Sequence, residues 1–309
     1  MNKTKGILFI FMTVAILSSC STKEGAPDKK HRVGSITTVE TRLMDGDQFY
    51  TSGDFISEKW NWDGNEMYRI DYGGFRAYSE NFFYDRRGRI AYTTIPAYGL
   101  KAEYCYDGRK LESIDVTRND DKYMSFLFTH NDEDKISSID VTSLLPSKKG
   151  IDNDIMNVIT LALSRTMGAY GAKAIIGKVA NDANKSNYSD SSFITNKFFL
   201  TWSGDNLIRV AKSDNSYVVN LNYDNKYNPY LQLIGYHNMI EAGFRYQIMS
   251  KNNITSVTEK NRPSISYTYQ YKDDYPTHRV ATYSYRTVNN DLDSVTITVN
   301  QSETITYID

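Results

Sequence analysis

The stretch FFYDRRGRI, Phe82–Ile90, decides how this chain is read. Two aromatics lead into Tyr84, a charged segment with one glycine follows, and Ile90 opens a second extended run, IAYTTI. Aromatic and β-branched residues on both sides of a turn-forming segment are the pattern of a β-hairpin. The phrase recurs. Aromatic or equivalent residues precede turns at Trp62, Tyr84, Tyr106 and His130, spaced by 22, 22 and 24 residues. A second register follows at Trp202, Tyr223, Met249 and Tyr271, spaced by 21, 26 and 22. A period near 22 holds two strands and two turns, so each repeat is a hairpin and a return. The turns agree with this, because Asp63-Gly64, Asp107-Gly108, Gly204-Asp205, Asn252-Asn253 and Asp273-Asp274 are residue types that accept positive φ or bond their own backbone.

Alternation in the flanks assigns the faces. Tyr267, Tyr269 and Tyr271 share one side of a strand, with Ser266, Thr268, Gln270 and Lys272 on the other, and Val295, Ile297 and Val299 alternate with Thr296 and Thr298. One face is dry and one is wet. The fold class expected is therefore mainly β: an antiparallel meander of hairpin repeats forming an open or partly closed barrel. It is expected to fill residues 33–309 as one domain. One central helical segment interrupts it at about 151–181, where Ile155, Val158, Ile159, Ala162 and Leu163 follow helical spacing and Asp152 or Asn153 can cap the start. That segment is apolar around most of its circumference, so it is expected to sit against or inside the sheet.

The N-terminus gives an address. Lys3 and Lys5 precede an apolar stretch from Ile7 to Leu17, about half the roughly 20 residues a membrane helix requires. Residues 1–19 read as a signal peptide. The end of this stretch, Leu17-Ser18-Ser19-Cys20, resembles a lipobox, which implies cleavage before Cys20, lipid attachment to its thiol and a bacterial lipoprotein. Residues 20–32 then form a lipidated flexible tether. Charged residues soon after the cysteine resemble signals for surface display in some Gram-negative gut bacteria, which places the protein on the outer membrane, facing outward rather than into the periplasm. Cys105 is the other cysteine of the chain, so no internal disulfide is expected once Cys20 carries lipid. Loss of Lys3 and Lys5 takes the formal charge from −1 to −3, a poor match to nucleic acid.

The turns resemble the tyrosine-aspartate repeats of the Rhs family at Tyr84, Asp85, Gly88, Arg89 and Ile90, and again at Tyr106, Asp107, Lys110 and Leu111. Ser203 and Ser250 stand in the Asp position of later copies. Over residues 33 to 309 the plan is similar to a family of gut-bacterial lipoproteins with a porin-like β fold. That family carries no established activity, so the resemblance transfers no catalytic residue. An actual membrane barrel is not expected, because tyrosines run the length of strands opposite Ser, Thr and Lys instead of lying only at strand ends.

GAKAIIGKV has five residues between Gly171 and Gly177, and Val179 after Lys178, which departs from a phosphate loop. NDEDKISS, residues 131–138, lacks the central glycine and distal glutamate of a calcium loop. His31, His130, His237 and His278 are scattered, without zinc spacing, and no G-x-S-x-G elbow is present. No catalytic residue, metal ligand or cofactor is assigned. Cys105 is read as a packed thiol on the strand face opposite Tyr104 and Tyr106. The aromatic residues are the functional signal: Trp60 and Trp62 on one strand face, Trp202 in the corresponding place, and Tyr267 and Tyr269 are candidate ligand-binding residues that either stack on sugars or fill the core. The function expected is a membrane-anchored, non-catalytic binding module for a glycan or an envelope protein, with no nucleic-acid partner. A polysaccharide-active enzyme with two acids near the ligand and a structural part of an envelope complex are the alternatives.

Overall fold

The computed structural model describes residues 31–51, 56–73, 77–144, 193–233, 249–260, 262–288 and 294–308. The chain runs as β1 (Arg32–Met44), β2 (Asp47–Thr51), β3 (Ile56–Asp63), β4 (Glu66–Tyr72), β5 (Tyr78–Tyr84), β6 (Ile90–Ile95), β7 (Leu100–Asp107), β8 (Lys110–Arg118) and β9 (Asp121–His130). It continues as β10 (Ile136–Leu144), β11 (Phe193–Ser203), β12 (Asn206–Lys212), β13 (Val218–Tyr227), β14 (Asn252–Glu259), β15 (Ile265–Lys272), β16 (Tyr275–Val288) and β17 (Ser294–Ile308). From β3 onward each strand pairs with its successor, and β3 also pairs with β1.

The last strand then returns to the first, with a register running from Arg32↔Ile308 to Met44↔Ile297. Sixteen strands, β1 and β3 to β17, thus form a closed antiparallel barrel, with the short β2 laid along the far end of β1. The expectation of an open or partly closed barrel is corrected to a closed one. The physical reason is that β1 and β17 would otherwise present two of the longest strands as unpaired edges, and their pairing removes both. The helical segment expected at about 151–181 lies outside the described residues, as do residues 1–30, which hold the signal, Cys20 and most of the tether.

A closed sheet can shield only its concave side. Buried apolar side chains from β1 and β3 to β17 form one cluster, so they point inward. Barrels of sixteen strands ordinarily leave a water-filled lumen. Here Ile70, Ile114, Ile139 and Leu207 are 0% exposed, so water does not line these inner positions. The outward positions carry residues such as Glu112, Asp115 and Thr117 on β8 and Ser266, Thr268 and Gln270 on β15. This is the reverse of a transmembrane barrel, whose outer face is an apolar band.

The recurring phrase is a bulged hairpin. Trp62 opposes Met67, Tyr84 opposes Ile90, Tyr106 opposes Leu111, and Trp202 opposes Leu207, each just after a register shift. His130 opposite Ile136, Tyr223 opposite Ile254 and Tyr271 opposite Pro276 complete the set. Glycines at the tightest turns adopt the left-handed backbone these turns require, with φ of 56° at Gly64 and 59° at Gly108. One turn moves from its expected place. Asn252 and Asn253 begin β14, so the phrases at Tyr223 and Met249 belong to a single hairpin whose connection spans 228–251.

Two ladders tie one hairpin to the next at this rim. Looking backward, the aromatic ring donates to the carbonyl of the residue that opened the preceding return: Tyr84 Oη to Met67 at 2.6 Å, Tyr106 Oη to Ile90 at 3.0 Å, Trp202 Nε1 to Ile136 at 2.7 Å and Tyr307 Oη to Pro276 at 2.8 Å. Looking forward, a base donates to the glycine carbonyl of the following turn: Arg89 to Gly108, Lys135 to Gly204 and Arg32 to Gly64. The aromatic and basic positions of the phrase are therefore the cross-links between repeats. Tyr84→Phe or Tyr106→Phe keeps the packed ring and removes one such bond, and each is expected to lower stability by about 1 kcal/mol in urea unfolding. An unchanged midpoint for both would mean the ladder carries no weight.

Candidate functional site

The bulges leave a regular inner layer in which the residue three beyond each return's opener points inward: Ile70, Thr93, Ile114, Ile139, Val210 and Val257. In the seventh hairpin this position is Arg279, 3% exposed. A buried guanidinium where the other copies hold uncharged side chains is the main departure from the repeat, and it marks the site.

Register supplies its partners. Arg279 on β16 pairs with Tyr269 on β15 and with Glu303 on β17, and Glu303 pairs with Thr38 on β1. The guanidinium Nη2 donates to Glu303 Oε1, and its carbon lies 5.3 Å from the ring centres of both Tyr230 and Tyr267. Tyr230 comes from a single 3-10 turn at Pro229–Leu233, and its hydroxyl donates to Glu303 Oε2 at 2.8 Å. Asn228 shapes that turn, because its Oδ1 accepts the Tyr230 amide at 3.0 Å while its Nδ2 donates to the Ser250 carbonyl at 2.8 Å. Two further buried acids stand nearby. Glu58 on β3 accepts from Trp60 Nε1 at 3.1 Å, and Glu40 on β1 accepts from Gln301 Nε2 at 3.1 Å and Arg42 Nε at 2.7 Å.

These groups perturb one another. Burial, helped by Glu303 and Glu58 and opposed by Arg279, holds the Tyr230 phenol well above its ordinary value. Burial likewise pushes Tyr267 up to about 12. Burial opposes the charge on Arg279, but Glu303 and the tyrosines around it outweigh that effect and raise its pKa. The site lies where the first strand meets the last. A buried charge tolerates only the alignment that brings its partner opposite, so Arg279, Glu303 and Glu40 also penalise a slipped seam.

The aromatic candidates divide between two places. Trp60 and Tyr267 are buried, and with the half-buried Tyr269 they belong to this inner arc. Tyr269 Oη donates to the Ile254 carbonyl at 2.7 Å. Trp62 and Trp202 are half-buried rim residues, on β3 and β11, donating to Val33 and Ile136. Trp60 and Trp62 do share one strand face, with ring centres 6.4 Å apart. Arg279, Glu303, Glu58 and Tyr230 were not singled out in the sequence. The sequence signal was present in YPTHRV, where Pro276 and Arg279 repeat the spacing of Met67 and Ile70. Cys105 lies on the outward face and is exposed. Among the described residues no group of three or more His, Cys, Asp or Glu is placed to hold a metal.

No family model and no curated protein matches the chain. Among solved structures it is similar to a porin-like protein from Bacteroides uniformis, with 12% identity and a TM-score of 0.46 over 90% of this chain and 98% of that one. It also matches a TcdB2-TccC3-Cdc42 structure, at 11% identity and a TM-score of 0.26, over 84% of this chain and 15% of that one. A TcdB2-TccC3 structure without its hypervariable C-terminal region gives 12% and 0.27, over 81% and 14%.

Proposed function

We propose that the chain is a lipid-anchored, surface-displayed, non-catalytic binding module that meets a glycan or protein ligand through the outside of its barrel. The observation that carries this reading is the division of labour between the two faces. The inner face is apolar, with its buried acids bonded to Arg279, Arg42, Trp60 and Tyr72, while the outer face presents fixed polar side chains and exposed rings. A rigid, water-facing sheet needs no reorganisation to bind, which lowers the entropy cost of association. The anchor rests on Leu17-Ser18-Ser19-Cys20 and on the polar stretch after it. The intact protein in detergent is expected to retain at least one class of polysaccharide or one purified envelope protein; retention of neither overturns the reading.

One observation favours the enzymatic alternative. Glu58 and Glu303 sit on strands flanking β1, opposite Ile36 and Thr38, and the carboxylates of both act on the Tyr230 phenol. If this pair cleaves glycosidic bonds, the protein releases reducing sugar from a polysaccharide and Glu303→Gln abolishes the release. No release from any tested polysaccharide removes that alternative.

A further inference from the structure

We propose that the outward rings of Tyr68, Phe83 and Tyr92 form a stacking platform for a neutral glycan lying across β4, β5 and β6. The inference rests on the outer-face reading above and gives that reading a place and a ligand class.

The repeat again exposes the departure. The outward residue just before the rim aromatic is Phe83 in the second hairpin, where other copies carry Asn61, Cys105, Thr129, Thr201, Asn222 and Gln270. On the returning strand the bulge turns two successive residues outward, and these include Tyr68 on β4 and Tyr92 on β6. The three rings thus stand on three consecutive strands. Phe83 and Tyr92 are directly paired, with ring centres 4.3 Å apart and planes within 14°. Tyr68 is 48% and Phe83 39% exposed.

The flanks are polar and already ordered. Asp71 accepts from Ser79 Oγ at 2.8 Å, from Asn61 Nδ2 at 2.9 Å and from Arg69 Nε at 2.5 Å. On the other side Lys101 pairs with Glu103 at 2.7 Å and lies 5.1 Å from the Tyr92 ring centre. Arg69 and Lys101 are each matched by an acid, so these two flanking pairs offer no net charge to an ionic ligand.

Size then separates the ligand classes. A protein partner needs about 800 Å² on each side, far more than three half-exposed rings supply. Strands about 4.8 Å apart give a row roughly 10 Å wide, which suits one or two sugar rings. Phe83 and Tyr92 cover one face of each other and Lys101 lies over the Tyr92 ring, so sugar C–H groups meet the exposed Tyr68 ring and the outward edges of the stack, while sugar hydroxyls find Asn61, Ser79 and Arg69 alongside.

The test uses the full chain in detergent and affinity electrophoresis with neutral polysaccharides (β-glucan, xylan, mannan, starch), with an anionic polysaccharide for comparison. Tyr68→Ala and Tyr92→Ala are each expected to weaken retention by a neutral polysaccharide at least tenfold. Tyr68→Trp, with a larger ring, should bind as well or better, and Phe199→Ala, an exposed ring on β11, should bind as the unaltered chain does. Tyr68→Ala should melt with the unaltered chain, whereas Tyr92→Ala loses its stack on Phe83 and should melt a few degrees lower while still fully folded at the assay temperature, so an intact β circular-dichroism signal for both separates lost binding from lost folding. Neutral-glycan binding that ignores Tyr68→Ala and Tyr92→Ala overturns the platform while leaving the binding-module reading intact. Retention by the anionic polysaccharide alone also overturns it. Failure to bind any polysaccharide or any envelope protein overturns both.

Discussion

Arg279→Met is expected to destabilise the barrel by roughly 3–5 kcal/mol, the largest loss of any single substitution considered for this chain. Its guanidinium is the partner of Glu303 at a position 3% exposed, and it is stacked between Tyr230 and Tyr267. Methionine fills similar volume but leaves a buried carboxylate whose remaining donor is the Tyr230 hydroxyl. The loss would therefore come mainly from the stranded acid and only secondarily from packing. The double variant Arg279→Met/Glu303→Leu removes both charges and is expected to recover most of the stability, because a buried ion pair is often no better than an apolar replacement. Urea unfolding followed by tryptophan fluorescence measures both. A single variant within 1 kcal/mol of the unaltered chain would show that the pair is not a buried one.

The second large effect is alkaline. Burial raises the phenols of Tyr267, Tyr106 and Tyr227 to about 12, and those of Tyr84, Tyr223, Tyr230 and Tyr307 are raised as well, from an ordinary value of 10.0. The folded chain keeps these protons where the unfolded chain has released them, so the stability they contribute is fully present below pH 10 and falls as pH rises through the folded values. For Tyr267 alone the deficit at pH 11 is on the order of 1 kcal/mol, and the other buried phenols act in the same direction. The expected result is a small early tyrosinate signal from exposed rings, then a cooperative rise together with loss of the β circular-dichroism signal. Gradual ionisation of all 25 tyrosines near their ordinary value with the β signal intact would contradict their burial.

Much of this was legible residue by residue. The FFYDRRGRI phrase located the hairpins, and Asp63-Gly64, Asp107-Gly108 and Gly204-Asp205 all proved to be tight turns. Asn252-Asn253 did not, because a polar dipeptide at the start of β14 has the same composition as a turn. Strict alternation does not carry over to the returning strands. The bulge after Met67, Ile90 or Leu111 shifts the next inward residue from two positions on to three, a spacing visible in the sequence but ambiguous without the partner strand. The same ambiguity concealed Arg279, whose neighbours TH and VA read as an ordinary exposed strand. Trp60 and Tyr267 could be identified as a functional signal or as core, and only their surroundings place them in the seam network.

By itself the sequence determined the hairpin meander, most of the turns and the wet and dry faces. Those properties are local: backbone preference and period-two alternation need only neighbouring residues. The tertiary structure decided closure of the barrel, the ladders between repeats and the two clusters at Arg279 and Phe83. Each of these joins residues on different strands, from Tyr84 to Met67 at the near end of the scale to Arg32 with Ile308 at the far end. Such pairings are selected by the free energy of the whole sheet, which must satisfy its edges and bury its charges together, and no local pattern encodes that choice.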